Sequence, residues 1–451
     1  MRIIFRRDVA RALRSSALRV RCQSSAASTA AFSLSSFDAP AQQLSVGGQP
    51  YRVVFGAKAA ASHLGAIARE HGIHKMLVVR DRDGGAASRT QYVEFLLMQA
   101  GIPCFQYTLK KDCATIKDVD DGVATALRVG ADGVLAFGGG STMDMARSIA
   151  LVLANGDSAE DYKKGDMGAY LVPPVPHIIV PTVSGSGAEI STDALVLDED
   201  EEAKQSLLAG HAISAAAVIV DPMLTLSVPL HQTVQGALTA LGQCIESYLL
   251  GCGDEQAEQA ALQGIDLVAA AFAEPLVQGK VNLKSVDFRS QLALASLASG
   301  IAANASGFGA AHCIAVSMGG ISDLPHAQIG AAFLPFVFDR YEALAEENEG
   351  DEFFDDLKQK LERVCDRLTA SSGFQGQSVS SWLRYVSKRF DLPDATKLEL
   401  EDSLVNGLVE RAVQRQEDVM PRRDDGAILE ADDLRTVITN AVVVAETAET
   451  S

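Results

Sequence analysis

The sequence is poor in basic residues and in long apolar runs. Lysine and arginine number 39 against 58 aspartates and glutamates, which gives a formal charge of −19. Non-specific nucleic-acid binding depends on a basic surface, so this charge argues against a nucleic-acid partner. No stretch of ~18 uninterrupted apolar residues is present, and we therefore expect no transmembrane helix and no membrane partner. What is left is an ordinary globular composition in a chain of 451 residues, long enough for two domains.

The cysteines also lack any pattern. There are seven, and none of them forms a CxxC motif or a regular spacing. This distribution argues against a disulfide framework and against a zinc knuckle. It predicts a protein with buried thiols in a reducing compartment.

The N-terminal segment differs in kind from the rest of the acidic chain. Residues 1–36 read "MRIIFRRDVARALRSSALRVRCQSSAASTAAFSLSS", with seven arginines and a single acid, Asp8. Arginine and serine with apolar residues between them are typical of a transit peptide. We predict that residues 1–40 are a mitochondrial transit peptide. A basic tail without an address, another organelle and the cytoplasm stay open as alternatives.

The remaining chain has two parts with different sequence patterns. From residue 51 to residue 222, short apolar runs such as "KMLVVRD" (75–81) and "HIIVPT" (177–182) alternate with helical segments of 10–15 residues. This alternation predicts a mostly parallel sheet with helices on both faces. After Pro222 the pattern is helical to the end. The predicted fold is an α/β nucleotide-binding domain over residues 48–222 and an all-α domain over residues 223–451.

A glycine-rich loop follows the apolar run at 133–137. The stretch "LAFGGGSTMDMARSIA" (135–150) reads as a strand, three glycines, a serine and a helix. Glycines let the backbone approach a phosphate, and a helix N-terminus offers free N–H donors. A tight turn without a ligand is the alternative, and the position after a buried strand favours the phosphate site.

Two further segments point to the same end of the sheet. Asp81 ends the strand "MLVVRD", where a carboxylate can accept from a ribose hydroxyl and repel a 2′-phosphate. This favours NAD over NADP, although Arg80 and Arg82 beside it keep NADP open. The loop "PTVSGSGAEIST" (181–192) is so dense in small polar residues that we expect it to contact a ligand rather than to be a plain turn.

Taken in order, five stretches resemble the iron-containing alcohol dehydrogenase family, which has the dehydroquinate synthase-like fold. "GGGSTMD" resembles the family's GGGSxxD loop, and "PTVSGSGAEIS" its PTTxGTGSEVT loop. "VDPMLTLSVP" is similar to DPxLTxxLP, "GALTALGQCIESY" to GxDALxHxIEAY, and "HCIAVSMGGISDLPHA" to HxxxHxLGGxxxxPHG. The resemblance spans roughly residues 48–340. It implies an active site in a cleft between an α/β and a helical domain.

Carried over by position, the resemblance implies a set of cofactor contacts. Val183 departs from the family, which usually has a second threonine there. The implied contacts with the pyrophosphate, the nicotinamide and the adenosine ribose are Asp81, Gly138, Gly139, Gly140, Ser141, Asp144, Thr182, Ser184, Ser186 and, more weakly, Lys204.

The implied metal site is incomplete. The family holds its metal with an aspartate, a histidine four residues later, and two histidines fourteen apart. His312 and His326 keep the spacing of fourteen, but Thr239 and Gln243 occupy the other two positions. A further histidine of the family falls on Val316. Because a threonine hydroxyl and a glutamine amide are poor ligands, we do not expect tightly bound iron or zinc.

Three functions remain in competition. The leading hypothesis is an NAD- or NADP-dependent oxidoreductase that works without a tightly bound metal on a small alcohol, carbonyl compound, hydroxy acid or oxo acid. "LPHAQ" (324–328) resembles the LPHAE of the maleylacetate reductases, a partial match to a metal-free branch. A metal-dependent alcohol dehydrogenase with substitute ligands is the second, and a nucleotide-binding pseudoenzyme or assembly protein the third. We expect a homodimer, with candidate catalytic side chains at Thr239, Gln243, His312 and His326.

Overall fold

The described part of the chain begins after the predicted transit peptide, which therefore stays a prediction. At residues 42–46, 49–51, 84–88, 203–207 and 445 only the backbone is described. The computed structural model describes residues 42–46, 49–82, 84–163, 172–200, 203–207, 213–251, 253–319, 321–322, 324–370, 374, 376–393, 398–419 and 429–445.

A seven-stranded sheet organises the first half of the chain. The strands are β1 (Gln42–Val46), β2 (Gln49–Phe55), β3 (Met76–Arg80), β4 (Cys104–Thr108), β5 (Gly133–Gly138), β6 (His177–Pro181), β7 (Ala194–Asp198), β8 (Ala203–Leu207) and β9 (Ala217–Val220). The sheet order is β1-β2-β9-β6-β5-β3-β4, while β7 and β8 form a separate antiparallel hairpin. Within the sheet β1 and β2 are antiparallel, and the other neighbouring strands are parallel.

Helices cover this sheet, as the sequence predicts. They are α1 (Ala59–Glu70), α2 (Gly84–Gln99), α3 (Ile116–Val129) and α4 (Gly140–Asn155). Every residue of β5 and of β6 is buried, because parallel strands covered on both faces need continuous apolar runs. Local signals set the helix ends: the Thr115 hydroxyl accepts from the amide of Asp118, and Gly130 ends α3 with φ 68°.

The second half of the chain is a bundle of nine described helices. They are α5 (Leu230–Leu250), α6 (Glu255–Gln278), α7 (Val286–Ser306), α8 (Ala310–Ser317), α9 (His326–Glu347), α10 (Glu352–Thr369), α11 (Val379–Arg389), α12 (Asp402–Val419) and α13 (Ala431–Ala441). Two three-residue strands, β10 (Glu399–Glu401) and β11 (Val443–Ala445), pair in parallel beside them. With the sheet, these helices confirm the predicted fold class.

Helix α5 lies at the centre of the bundle. From Thr233 to Leu250 all its residues except Thr239 are buried, and its apolar side chains join those of α6–α13 in one core cluster. Helix α6 is long and apolar enough to cross a bilayer by length and composition, with half of the relevant window buried. Core helices of soluble proteins have the same properties.

The passage from sheet to bundle is fixed by one carboxylate. Asp221, directly after β9, accepts from the backbone amides of Lys58 at 3.0 Å, Ala60 at 3.3 Å and Met223 at 3.1 Å. It therefore joins the start of α1 to the turn that leads into α5. All described residues belong to one compact unit, and the domain boundary at 222/223 stays a prediction.

Candidate active site

Three predicted segments meet at the carboxyl edge of the sheet. Asp81 follows β3, Gly139 follows β5 and Thr182 follows β6, and these three strands are neighbours in the sheet. The carboxyl ends of parallel strands lie on one side, where open α/β sheets bind ligands. The amide of Thr182 donates to the carbonyl oxygen of Gly138 at 3.0 Å. The structure therefore brings the predicted nucleotide segments together.

Asp81 holds the glycine loop in place. Its Oδ1 accepts from the amide of Gly139 at 3.3 Å and from the Thr142 hydroxyl in a short hydrogen bond. A Cβ added at Gly138 would lie 2.5 Å from both Asp81 Oδ1 and Thr142 Oγ1, so this position requires glycine. Sequence reasoning missed Thr142, although a hydroxyl one residue beyond the predicted phosphate contact Ser141 was the available signal.

Helix α4 presents an open N-terminus beside this loop. Gly139 is its N-cap with φ −88° and ψ −169°, and no side chain caps the helix there. Gly140 and Ser141 are the first two helical residues, and both are only half-buried. The first amides of a helix have no intrahelical acceptor, and they favour an anion. The predicted pyrophosphate contacts therefore fit a dinucleotide at this point.

Asp144 and Arg147 connect α4 to the second loop (residues 181–192). The Asp144 carboxylate lies 3.7 Å from Nη1 of Arg147, whose side chain is fully buried. Arg147 donates through Nη2 to the backbone oxygens of Ala188 and, at 3.1 Å, of Glu189. In this structure Asp144 thus positions an arginine that fixes the second loop, in addition to closing the glycine motif.

The second loop is packed against α7 through small residues. The Ser296 hydroxyl accepts from the amides of Gly185 at 3.0 Å and Gly187 at 3.2 Å, and the Ser299 hydroxyl donates to the oxygen of Gly185 at 3.0 Å. Gly187 has φ +67°, and a Cβ there would lie 2.3 Å from the amide nitrogen of Gly300. The density of small polar residues in this loop therefore has a packing reason besides any ligand contact.

The other predicted residues of the loop lie as follows. Thr182 is buried, and its Oγ1 has no hydrogen-bond partner among the described groups. Ser184 and Ser186 are half-buried, and the oxygen of Ser186 accepts from helix α5. Val183 lies with Cγ2 3.4 Å from where a Cβ of Gly139 would be. Lys204 pairs through its backbone with Leu197 in the β7–β8 hairpin, but its side chain lies outside the described part.

Thr239 and Gln243 lie on one face of α5 and are both committed to backbone carbonyls. The Thr239 hydroxyl donates to the oxygen of Gln235, one turn earlier, at 2.9 Å. The Gln243 amide nitrogen donates to the oxygen of Ser186 in the second loop at 3.2 Å. Gln243 therefore links the helical bundle to the second loop, and its Oε1 has no hydrogen-bond partner among the described groups.

His312 and His326 come together as their spacing predicts. His312 lies in α8 and His326 is the first residue of α9, with ring centroids 5.0 Å apart at an interplanar angle of 73°. The ring of Phe308 stacks on His312 at a centroid distance of 4.1 Å. Val316, at the family's additional histidine position, is buried in α8.

A single cavity collects the four candidate catalytic residues and one that the sequence-based assignment left out, Glu246. The volume of the cavity is about 290 Å³ when the space that is open to solvent is included. The described residues that line it are Thr239, Gly242, Gln243, Glu246, Ala311, His312, Ala315, His326, Gly330 and Leu334.

Glu246 is the one carboxylate among the lining residues. Its Oε1 accepts from the Tyr341 hydroxyl at 3.1 Å and from the amide of Ala311 at 3.4 Å, near the N-terminus of α8. Its Oε2 has no partner among the described groups. Burial raises the pKa of this carboxyl to about 7, against the lowering effect of Tyr341 and of the backbone amides. The sequence shows a glutamate one turn after Gln243 but not that it is buried at the cavity.

The donor set in this cavity does not fit a tightly bound Fe²⁺ or Zn²⁺. Such sites use at least three good donors, usually with a carboxylate or thiolate that offsets the metal charge. Here the family's ligand positions offer two imidazoles, a threonine hydroxyl already bonded to Gln235 and one neutral amide oxygen, while the Glu246 carboxylate bonds Tyr341 and Ala311 instead. Among the residues described, no group of three or more His, Cys, Asp or Glu side chains is placed to hold a metal.

Comparison with known proteins gives consistent matches to one family. The family model "Iron-containing alcohol dehydrogenase" matches residues 50–222, and the model of the family's C-terminal domain matches residues 233–415. The choline dehydrogenase of Bacillus subtilis is 28% identical over 276 residues, which cover 61% of this chain and 67% of that protein. The NAD-dependent methanol dehydrogenase of Bacillus methanolicus is 26% identical over 280 residues, or 62% and 72%.

Solved structures support the fold. The alcohol dehydrogenase from Oenococcus oeni has a TM-score of 0.71 and 20% identity, over 86% of this chain and 97% of that one. The NADH-dependent butanol dehydrogenase A from Thermotoga maritima has a TM-score of 0.68 and 21% identity, over 90% and 100%. At these identities the likeness concerns the fold alone, an α/β part followed by a helical part.

Proposed function

Because the chain belongs to the iron-containing alcohol dehydrogenase family, as its motifs predict, we propose that it is an NAD-dependent member that works without a tightly bound metal. Membership makes it an oxidoreductase of the alcohol dehydrogenase type. The observation that carries the metal-free proposal is the state of Thr239 and Gln243. Both occupy metal-ligand positions of the family, and both donate to backbone carbonyls instead.

Hydride transfer needs three things: a bound cofactor, an oriented substrate oxygen and a group that exchanges its proton. The nicotinamide, when bound, supplies the hydride acceptor or donor. The open N-terminus of α4 and the Gly138–Gly140 loop suit its pyrophosphate. His312 or His326 accepts the hydrogen bond of the substrate hydroxyl and exchanges its proton, and the Gln243 side chain, which lines the same cavity, helps to orient the substrate.

The cofactor and substrate proposals rest on separate observations. Asp81 places a carboxylate at the end of β3, where it favours a ribose hydroxyl over a 2′-phosphate, and relatives are named as NAD- or NADH-dependent enzymes. Relatives named for choline, methanol and 1,3-propanediol favour a small alcohol and its carbonyl product. A hydroxy acid with its oxo acid remains the alternative substrate class of this proposal.

The test is NADH and NADPH oxidation by the purified chain on aldehydes, keto acids and maleylacetate, before and after chelation. We expect turnover with NADH that a chelator leaves unchanged and that added Fe²⁺ or Zn²⁺ does not increase. Loss of turnover on chelation, with recovery on adding metal, would overturn the metal-free proposal. No turnover on any substrate, with NADH still bound, would instead assign the chain as a nucleotide-binding protein without this activity.

We also propose a mitochondrial location and a homodimer. The arginine-rich residues 1–40 carry the first proposal. Fractionation of cells that express the full chain tests it, with a variant lacking residues 1–40 as the control that stays in the cytoplasm. Sedimentation of the purified chain tests the second, and a monomer at micromolar concentration would overturn it.

A further inference from the structure

Half of the exposed apolar side chains lie around one edge of the sheet. Among the described residues ten large hydrophobic side chains are exposed, and five of these belong to β4 or to the two helices that contact it, α2 and α3. These five side chains are exposed by 38–67% and comprise Tyr92, Phe95, Met98, Phe105 and Leu127. Exposed apolar side chains that gather in this way mark an interaction surface.

Strand β4 is an edge strand without the usual protection. Its sequence, Cys104–Thr108, has no charged residue, no proline and no glycine, and among the described strands only β3 pairs with it. Its five residues pair in unbroken register with Met76–Arg80 of β3, so no bulge bends the strand away. Natural sheets block such edges with charges, proline, bulges or a covering element. The open side of β4 therefore indicates a partner strand.

The backbone groups on the open side of β4 follow from its pairing with β3. The amide of Met76 donates to the oxygen of Pro103 at 2.9 Å, and the amide of Leu109 donates to the oxygen of Arg80 at 3.0 Å. Because the direction of the backbone groups alternates along a strand, the odd-numbered residues from 103 to 109 face β3. The N–H and C=O groups that face away from the sheet are therefore those of Cys104, Gln106 and Thr108.

This outward set of groups is complementary to itself. A two-fold axis through Gln106 places Gln106 opposite Gln106 of a second copy, and Cys104 opposite Thr108 of the second copy, with the strands antiparallel. In each pair both residues turn their N–H and C=O groups towards each other, as in the hydrogen-bonded pairs of an antiparallel ladder. Phe105 then lies across from Tyr107 of the second copy, and aromatic pairs of this kind stabilise sheets. A two-fold contact also closes on itself, so it gives a dimer.

The charges at this edge also suit a second copy. The chain carries a formal charge of −19, so two copies repel each other unless they meet where charges cancel. At the middle of β4, Nε2 of Gln106 donates to the carboxylate of Glu94, and Oε1 of Gln106 accepts from Nε of Arg80 at 2.9 Å. One acid and one base therefore flank the centre of the strand, which leaves this edge without a net charge.

Going beyond the proposed activity and resting on the proposed homodimer, we propose that β4 is the strand through which two copies of this chain associate. The two β4 strands pair antiparallel about Gln106 and join the two sheets into one. Phe95 and Met98 of α2 cover the junction on one face of the sheet, and Leu127 of α3 covers it on the other. The occupant of the open edge is thus the same edge of a second copy.

The first test is the dimer dissociation constant of the full chain and its variants, measured by sedimentation velocity over a dilution series. Phe105→Lys places a charge in the aromatic pair, and charges at an edge block strand pairing. We expect the dissociation constant to rise at least ~10-fold, as for other central aromatic residues of interfaces. The matched control is Val277→Lys, which changes a side chain of α6 that is 67% exposed. This control should leave the dissociation constant unchanged.

A second variant tests the backbone pairing itself. Gln106→Pro removes an amide that faces away from β3, so the bonds between β3 and β4 stay possible and only the pairing with a second copy is blocked. We expect this variant to be a monomer at micromolar concentrations, with a circular dichroism spectrum and NADH binding like those of the unchanged chain. Hydrogen exchange of peptides that contain Cys104–Thr108 should be slow in the dimer and fast after dilution to the monomer.

The outcomes separate this inference from the proposals on which it rests. A dimer that persists unweakened in Phe105→Lys would overturn the role of β4 while the homodimer stands. If Gln106→Pro folds and stays a dimer, the conclusion is the same, and if it does not fold, Phe105→Lys alone decides. A monomeric unchanged chain would overturn both the homodimer and the β4 contact, and the turnover assay would still test the oxidoreductase. Slow exchange of β4 in a monomer would mean that another segment covers this edge, which would also overturn the second copy as its occupant.

Discussion

The nucleotide end and the cavity build their sites from different parts of the polypeptide. At the predicted nucleotide end the groups open to a ligand are backbone amides, and side chains such as Asp81 and Thr142 hold the loop that presents them. In the cavity the ligand-facing groups are side chains on three helices. Side-chain chemistry changes with one substitution, whereas a backbone site changes only if its geometry does. Substitutions can thus change the chemistry of the cavity while the nucleotide end keeps its form.

The second loop (residues 181–192) connects the two regions, and we expect substitutions in this loop to have the largest effect on stability. We expect Gly187→Ala to lower the free energy of unfolding by about 3 kcal/mol or more, because it adds left-handed strain to overpacking. The strain comes from φ +67° and the overpacking from a Cβ 2.3 Å from the amide nitrogen of Gly300. Urea denaturation measures the loss.

The matched control is Gly72→Ala, which has φ +69° and no atom within 4 Å of the added Cβ. This variant should lower the free energy of unfolding only by the backbone strain, about 1 kcal/mol. Equal losses in the two variants would mean that the contact between the second loop and α7 is looser than described.

Buried titratable groups make the two regions respond oppositely to pH. Burial lowers the pKa of His177, at the start of β6, from 6.5 to about 4. The unfolded chain then binds the proton first, so this group's stabilisation is lost as pH falls from about 6.5 to 4. The pKa of Glu246 is raised from 4.5 to about 7, so the contribution of this group to stability is lost as pH rises from about 4.5 to 7. Each amounts to about 3 kcal/mol.

Two variants test the two sides of the plot of unfolding free energy against pH: the acid limb, assigned to His177, and the neutral limb, assigned to Glu246. His177→Leu should flatten the acid limb, and Glu246→Gln should flatten the limb between about pH 4.5 and 7. The measurement is the free energy of unfolding from urea titrations at half-unit pH steps. An acid limb that survives in His177→Leu would assign it to carboxylates elsewhere in the chain.

A substitution in the glycine loop tests the nucleotide end alone. Gly138→Ala places a Cβ 2.5 Å from Asp81 Oδ1 and Thr142 Oγ1, so it must displace the groups that hold the loop. Overpacking of this kind costs about 1–3 kcal/mol, and we expect NADH affinity to fall at least ~10-fold. NADH fluorescence titration measures the affinity. Gly407→Ala, whose Cβ meets no atom closer than 3.7 Å, is the control and should bind NADH normally.

The smallest expected effect concerns the carboxyl that lines the cavity. Tyr341→Phe removes the hydroxyl that donates to Glu246 Oε1, which should cost about 1 kcal/mol and raise the pKa of Glu246 further. Tyr162→Phe, which loses a hydrogen bond to the oxygen of Gly156 at 2.8 Å in the α/β part, is the control. It should cost a similar amount without moving the neutral limb of the pH profile. A neutral limb unchanged in Tyr341→Phe would mean that this hydroxyl does not tune Glu246.

Much of the fold was predictable because local signals agree with the tertiary structure. The alternation of apolar runs and helical segments predicted a parallel sheet covered by helices, and the apolar runs at 75–81 and 177–182 coincide with β3 and β6 to within one residue at each end. The position of Asp81, the glycine loop and the histidine spacing also placed the right segments together. Each of these signals is carried by neighbouring residues or by a motif of fixed spacing.

The sequence by itself determined the family, the fold class and the residues that occupy the metal-ligand positions, because residue types at fixed spacings carry that information. The tertiary structure decided what those residues do. Gln243 donates to Ser186, 57 residues earlier, and Tyr341 donates to Glu246, 95 residues earlier. Partners so distant in sequence meet only when the helices pack, and burial by that packing sets the pKa of Glu246. Hydrogen-bond partners and burial are therefore properties of the folded chain that no local pattern encodes.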